Sequence, residues 1–231
     1  MQNITIAIDG FSSTGKSTIA KQLAKELGYV YVDTGAMYRA VTLYAIKQNF
    51  ITTEHFEVSN FVMDLENIHL EFKFNSELGY SEIYLNGINV ERPIRSMEVS
   101  GLVSTVSAVP EVRYQLVKQQ QQMGEGKGIV MDGRDIGTVV FPEAELKLFM
   151  TASAEIRAQR RYDELITRGE SVDFKEVLRN VQERDYIDSH REDSPLMKAE
   201  DAIEIDNSNM SLDEQFSQIM QLVRMTLEDE E

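Results

Sequence analysis

Short apolar runs followed by helical patterns recur along this 231-residue chain. The first run, Ile4 to Asp9, carries no charge on either face before its last residue, which is typical of a central strand covered by helices. An apolar stripe at helical spacing follows and ends at Gly28. Further strand-like runs lie at 29–32, 129–132, 146–150 and 202–205. This order predicts an α/β fold with a parallel β-sheet core wrapped by helices.

The pattern changes between residues 63 and 94. Apolar and polar residues alternate from Ile68 to Phe74, and the later dipeptide Asn86-Gly87 is typical of a type I′ hairpin turn. A small antiparallel β insertion, 63–94, is therefore predicted in a single domain spanning 1–231. The insertion frames or moves over a ligand, or it is a structural decoration; the pattern fits both.

Two arginine-rich helices are predicted within about 153–192. Each carries a charged cluster at helical spacing: Arg157, Arg160 and Arg161, then Arg184, Asp188 and Arg191. Guanidinium groups bind phosphate through paired hydrogen bonds, so two such helices joined by a glycine-containing turn suit a phosphate-clamping lid. An exposed, salt-bridged helical hairpin is the alternative.

A phosphate-binding motif separates the first predicted strand from the first predicted helix. Residues Gly10 to Ser17 read GFSSTGKS and match the P-loop pattern. Its glycines let backbone N–H groups approach phosphate at the positive end of a helix, Lys16 can bridge two phosphates, and the Ser17 hydroxyl can hold Mg²⁺. A glycine-containing turn with a solvated lysine is the weaker interpretation, because it leaves the spacing unexplained.

Polar groups also follow two other predicted strands. Ligands of open α/β sheets lie beyond the carboxyl ends of the strands, so Thr34, Tyr38 and Arg39 are expected to line a second substrate's pocket. Asp132 ends another strand in a Walker B-like position, where it can orient Mg²⁺. A helix cap with a surface arginine is the alternative at 33–39, and a self-paired turn is the alternative at 132–135.

Composition limits the partners that this chain can have. Its 39 acidic and 23 basic residues give a formal charge of −16, which disfavours a nucleic-acid partner. Thirteen of the basic residues are arginine, which favours specific anion binding. The chain has no cysteine, no long apolar stretch and no signal-like N-terminus, so we expect a cytoplasmic protein without a membrane partner. We also expect a monomer.

Together these motifs resemble the bacterial-type cytidylate kinases, of the nucleoside monophosphate kinase fold. The resembling segments extend nearly end to end: the P-loop, 33–39, the β insertion, 94–95, 132–142 and 183–191. The segment 132–142 is the most specific. The resemblance implies transfer of the ATP γ-phosphate to CMP or dCMP with Mg²⁺, an insertion in the monophosphate-binding region and a mobile lid.

The resemblance also implies roles for individual residues. The implied catalytic residues are Lys16, Asp132, Arg134 and Arg184. Those for ATP are Gly10, Ser12, Ser13, Thr14, Gly15, Lys16, Ser17, Thr18, Arg157, Arg160 and Arg161, and those for Mg²⁺ are Ser17 and Asp132. The implied acceptor-binding residues are Thr34 and Tyr38, with Ser104, Arg113 and Asp135 for cytosine, Arg39, Arg134 and Arg184 for the monophosphate, and Asp188 and Arg191 for the ribose. The Asp135 carboxylate can accept a hydrogen bond from the cytosine amino group, whereas it would repel the O4 acceptor of uracil.

Two other functions are compatible with a P-loop. A kinase of another nucleoside monophosphate such as UMP is one, although Asp135 and the β insertion argue against it. A nucleotide-binding switch without catalysis is the other. The sequence has no Asn-Lys-x-Asp guanine-reading motif, and a switch would not need the predicted arginine-rich lid.

Overall fold

The structure is a computed structural model that describes residues 3–229. In chain order its main elements are β1 (Thr5–Gly10), α1 (Lys16–Leu27), β2 (Val30–Asp33), α2 (Thr34–Lys47), α3 (Val58–Asp64), β3 (Leu70–Asn75), β4 (Tyr80–Leu85), β5 (Ile88–Asn89), α4 (Met97–Ser107), α5 (Pro110–Met123), β6 (Ile129–Gly133), β7 (Leu146–Thr151), α6 (Ala154–Thr167), α7 (Phe174–His190), β8 (Ile203–Asp206) and α8 (Leu212–Asp229). The chain divides into two compact units. The first ends at Val32 and resumes at Met123, and the second is Asp33–Gln122.

Five strands of the described chain form one sheet, in the order β2-β6-β1-β7-β8, which confirms the predicted α/β fold. The central strand β1 is buried along its whole length and pairs in parallel with β6 and β7. Asp9 of β1 is aligned with Gly133 of β6. Because the two strands are parallel and in register, the P-loop and the loop after β6 leave the sheet at the same edge.

Helices α1 and α8 bury their apolar stripes in the core of the first unit. Ile19 and Leu23 of α1 lie in one cluster with Ile219 and Val223 of α8. The helix α8 begins with a capping box, in which the Glu214 amide donates to the Ser211 hydroxyl and the Ser211 amide donates to the Glu214 carboxylate.

The second unit contains a separate apolar core and a small antiparallel sheet in the order β3-β4-β5. Asn86 and Gly87 both have positive φ, at 49° and 80°, as a type I′ turn requires. The strand β3 begins at Leu70, whereas the predicted alternation begins at Ile68. The reason is that Leu65–Asn67 forms a 3-10 turn, in which the Leu65 carbonyl accepts a hydrogen bond from the Ile68 amide.

The segment Ile136–Val140, directly after the loop at the end of β6, is a π-helical turn that the sequence pattern does not predict. Its wide hydrogen bonds include Val140 N–H to the Asp135 carbonyl and Phe141 N–H to the Ile136 carbonyl. Such turns are rare and often lie at functional sites. Within residues 3–229, the structure contains no helix with the length and hydropathy needed to span a bilayer.

Candidate active site

The P-loop of the first unit depends on glycine at two positions. A Cβ at Gly10 would lie 2.0 Å from the carbonyl oxygen of Met150, and the φ of this residue is 141°. Gly15 has a φ of 87° and precedes the first turn of α1. A side chain at Gly10 would collide with the backbone of β7, so this position requires glycine to bring the loop so close to the sheet.

Lys16 is buried within the P-loop, with 5% of the residue exposed. Its ammonium donates to the carbonyl of Phe11 at 2.5 Å and to the hydroxyl of Thr14 at 3.2 Å. Burial lowers the pKa of Lys16 well below its usual value; the charge of Arg134 and then that of Arg184 lower it further, while Asp132 and Asp9 oppose this. Positive groups therefore converge at this point, and a bound polyanion would relieve their repulsion.

Ser17 and Asp132, the predicted Mg²⁺ ligands, are hydrogen bonded to each other. The Ser17 hydroxyl donates to one Asp132 carboxylate oxygen at 2.9 Å, and the Tyr31 hydroxyl donates to the other at 2.8 Å. The register of β1 and β6 explains this contact, since Asp132 lies beside the strand that carries the P-loop. A hydroxyl and a carboxylate are oxygen donors of the kind that Mg²⁺ prefers, so the pair fits this ion.

The last residue of β1 before Gly10 is a buried carboxylate, Asp9. Its two oxygens accept hydrogen bonds from the backbone N–H groups of Ile136 and Gly137, at 2.8 and 2.7 Å. Burial raises the pKa of Asp9 to about 7, and the nearby charge of Asp135 contributes, although the two backbone hydrogen bonds oppose the shift.

The loop after β6 presents Arg134 and Asp135. The Arg134 guanidinium donates to the Asp188 carboxylate of α7 at 3.1 Å and to the carbonyl of Gly133 at 3.1 Å. Asp135 is buried. Arg191 lies one residue beyond α7, and its guanidinium donates to the carbonyl of Ser194 at 2.8 Å. Arg134, which is predicted to bind the monophosphate, is therefore hydrogen bonded to Asp188, which is predicted to bind the ribose.

The three predicted lid arginines of α6 have different environments. Arg157 is buried, lies over the Phe11 ring and forms two hydrogen bonds with the Asp185 carboxylate of α7, at 2.9 and 2.6 Å. Arg161 pairs with Glu164 at 2.9 Å. The three side chains therefore do not act as one exposed row, because Arg157 is held between α6, α7 and the P-loop.

Arg160 reaches the end of β8, where it contacts Asn207. Its guanidinium donates to the side-chain and main-chain oxygens of Asn207, both at 2.9 Å. The Asn207 amide in turn donates to the Thr14 carbonyl of the P-loop at 2.6 Å. A pocket of about 360 Å³ adjoins this network, and its lining includes Ser13, Thr14, Gly15, Thr18, Arg160 and Arg161. Ser12 is buried in the same loop.

In the second unit, Asp33 organises the segment after β2. Its carboxylate accepts from the Ala36 amide at 2.8 Å, and so caps α2, and it pairs with Arg39 at 3.1 Å and Arg95 at 3.2 Å. Burial on its own would raise the pKa of Asp33, but Arg39, Arg95 and the hydrogen bonds lower it to about 2. Two arginines are therefore fixed near the start of α2, where Thr34 is also buried.

A second polar group of this unit lies on α2, α4 and α5. Arg113 is only 2% exposed, lies over the Tyr38 ring at 5.5 Å and donates to the Ser107 carbonyl at 3.2 Å. Ser104, one turn before Ser107, is buried, and its hydroxyl has no hydrogen-bond partner among the described residues. A buried hydroxyl without a partner is costly unless a ligand satisfies it.

Comparison with known proteins identifies the family to which a chain with this P-loop site belongs. Residues 6–225 match the model of the family described as cytidylate kinase. The chain belongs to the cytidylate kinase family. The cytidylate kinase of Flavobacterium johnsoniae is 66% identical, over 96% of this chain and 97% of its own. That of Bacteroides fragilis strain ATCC 25285 is 57% identical, over 95% and 96%.

Among solved structures, an uncharacterised protein from Eubacterium ventriosum covers 97% of this chain and 99% of its own, with a TM-score of 0.50 and 14% identity. Similarity at this identity concerns the fold alone.

Several groups that shape the site of this cytidylate kinase family member were not among the residues predicted from sequence. They include Asp9, Asn207 and Asp185. Asn207 directly follows β8, so the rule that ligands lie beyond strand ends could have identified it. Asp9 offered only one signal, a carboxylate at the end of an apolar strand, and Asp185 offered its place in the family-like segment 183–191.

Proposed function

We propose that the protein transfers the γ-phosphate of ATP to CMP or dCMP, which gives ADP and CDP or dCDP. The observation that carries the proposal is the convergence of Lys16, Arg134 and Arg184 at the P-loop of a cytidylate kinase family member. Phosphoryl transfer depends on alignment and on neutralising the charge of the moving group, and converging cations supply the second.

The donor nucleotide is proposed to bind the P-loop residues Gly10, Ser12, Ser13, Thr14, Gly15, Lys16, Ser17 and Thr18. Of the lid arginines, Arg160 and Arg161 support this assignment best, because both line a pocket together with P-loop residues. Ser17 and Asp132 would hold Mg²⁺, which when bound offsets negative charge on the phosphates. Lys16 would exchange its bond to the Phe11 carbonyl for phosphate oxygens.

The acceptor is itself a phosphate monoester, so its ionised oxygen is already a nucleophile. No side chain needs to remove a proton, which agrees with the absence of histidine from the predicted site. Arg134 and Arg184, with Arg39, would bind this monophosphate and hold it for attack on the donor. Guanidinium groups suit this task because they bind phosphate through paired hydrogen bonds and keep their charge.

Cytosine recognition is assigned to Asp135, Ser104 and Arg113, and ribose recognition to Asp188 and Arg191. The Ser104 hydroxyl is buried and lacks a partner in residues 3–229, as expected of a group that reads a ligand. Thr34 and Tyr38 are proposed to line the acceptor site. Residues 153–192 would act as a lid that excludes water, which prevents hydrolysis of ATP.

The test is ADP formation from ATP and Mg²⁺, with CMP, dCMP, UMP, AMP and GMP each offered separately. We expect CMP and dCMP to react far faster than the other three. Equal rates with UMP would overturn the cytosine assignment and leave a pyrimidine monophosphate kinase. If no acceptor reacts while ATP still binds, the protein is a nucleotide-binding switch and the proposed function is wrong.

A further inference from the structure

Asp9 lies where β1 meets the P-loop, yet its side chain is turned to another segment of the first unit. Its two carboxylate oxygens accept from the consecutive N–H groups of Ile136 and Gly137, at 2.8 and 2.7 Å. The residue is only 5% exposed. These contacts join the end of β1 to the start of the π-helical turn.

The first N–H groups of a helical turn have no partner within the turn and need an outside acceptor. A carboxylate is well suited to two adjacent N–H groups, because it offers an acceptor on each oxygen. An asparagine would offer one oxygen and would direct its own N–H₂ at the other donor. Asp9 therefore supplies what the turn requires, and an amide of the same shape does not.

The contact fixes a very short loop. The β1–β6 pairing holds Gly133 beside Asp9, and the Asp9 carboxylate holds Ile136 and Gly137. Only Arg134 and Asp135 lie between these two attachments. Their backbone is thus held at both ends by one strand residue.

Burying a carboxylate beside Asp135 is unfavourable, since burial and the neighbouring acidic group both disfavour the ionised form of Asp9. A neutral residue would form the buried strand β1 equally well. An energetically costly group beside a binding site points to a role in that site.

We propose that Asp9 is a positioning residue, which holds the Arg134–Asp135 loop in the conformation that binds the acceptor nucleotide. This inference rests on the proposed function for the identity of the acceptor. It adds a residue that touches neither nucleotide and acts only through the backbone of the loop.

The test compares Asp9→Asn and Asp9→Ala with the wild-type protein and with Ile219→Ala. Ile219 is buried in the core of the same unit, so its variant lowers stability without altering the Asp9 contact. Backbone hydrogen exchange of residues 133–140, the KM for CMP, the ratio of CMP to UMP turnover, and the Kd for ATP are measured at a temperature where all four proteins are folded.

We expect faster exchange in 133–140 and a KM for CMP raised about tenfold to a hundredfold in the Asp9 variants, more in Asp9→Ala than in Asp9→Asn. The ratio of CMP to UMP turnover should fall. The Kd for ATP should change by less than about threefold, which is no more than the loss of one weak contact would cause. Ile219→Ala should leave all of these values near wild type.

Unchanged exchange in 133–140 would overturn the inference whatever the protein phosphorylates. Faster exchange with an unchanged KM for CMP would overturn it as well, because the contact would then be structural only. If the wild-type protein uses a different acceptor, the proposed function fails separately, and the KM for that acceptor decides the role of Asp9.

Discussion

The side-chain amide of Asn207 donates a hydrogen bond to the main-chain carbonyl of Thr14 at 2.6 Å, and so joins the end of β8 to the P-loop. Asn207 is fully buried. It also donates to the Gln215 side chain of α8 and accepts from Arg160 of α6. One amide thus connects the proposed donor-binding loop with a lid arginine.

We therefore expect Asn207→Ala to raise the KM for ATP about tenfold or more, with a smaller effect on the KM for CMP. Stability should fall by about 1–3 kcal/mol, because buried polar groups lose their partners. Steady-state kinetics and urea unfolding measure both effects. Ser211→Ala is the control, since it removes the α8 capping box without touching the P-loop. Equal KM values for ATP in the two variants would contradict the prediction.

The pairing of Arg157 with Asp185 should be measurable as an energetic coupling between α6 and α7. Both terminal guanidinium nitrogens contact the carboxylate, and Arg157 is buried. Removing Asp185 leaves the buried charge of Arg157 without this partner, so Asp185→Ala should cost about 3 kcal/mol or more. Arg157→Ala should cost less through charge, because the Asp185 side chain is 20% exposed. The double variant should cost less than the sum, by about 1–3 kcal/mol. Additive losses in urea unfolding would show that the contact contributes nothing.

Acid should destabilise the protein through Asp33. Its pKa is lowered from an ordinary value of 3.8 to about 2, so the folded state favours the charged carboxylate. The resulting stabilisation, on the order of 2 kcal/mol, is present above pH about 4 and is lost as the pH falls towards 2. Urea unfolding from pH 2 to 6 should show this loss in the wild-type protein and a flatter profile in Asp33→Asn. Parallel profiles would contradict the assignment; asparagine retains the oxygen that caps α2.

Arg184→Ala should lower kcat by about a hundredfold to a thousandfold, as expected for a cation that stabilises transferred charge. Lys16→Ala should have a similar effect for the same reason. The matched control is Arg179→Ala, since Arg179 is an exposed arginine five residues earlier on the same helix. Circular dichroism and thermal unfolding establish that the variants remain folded. A folded Arg184 variant with the wild-type rate would remove this residue from the catalytic set.

Asp135→Asn should weaken the preference for CMP over UMP by about tenfold to a hundredfold, mainly through slower CMP turnover. The carboxylate accepts from the cytosine amino group but repels the O4 of uracil, and an amide can turn to donate to that oxygen. Comparison of kcat/KM for both acceptors measures the change. An unaltered ratio would mean that another residue distinguishes the bases.

Local patterns predicted much of the fold. The alternation from Ile68 to Phe74 and the Asn86-Gly87 turn became the antiparallel sheet, and the apolar run from Ile4 to Asp9 became the buried central strand β1. Each of these depends on residues close in sequence, whose spacing is visible in the chain. The roles of the predicted site residues remain predictions, since they concern ligands.

The sequence by itself determined the βα order, the P-loop and the family resemblance, because these are properties of consecutive residues. Only the tertiary structure revealed what holds the loops in place. Asp9 bonds to an amide 127 residues away, and Asn207 bonds to a carbonyl 193 residues away. Neither spacing forms a pattern along the chain, because strand pairing, rather than local conformation, brings such distant groups together.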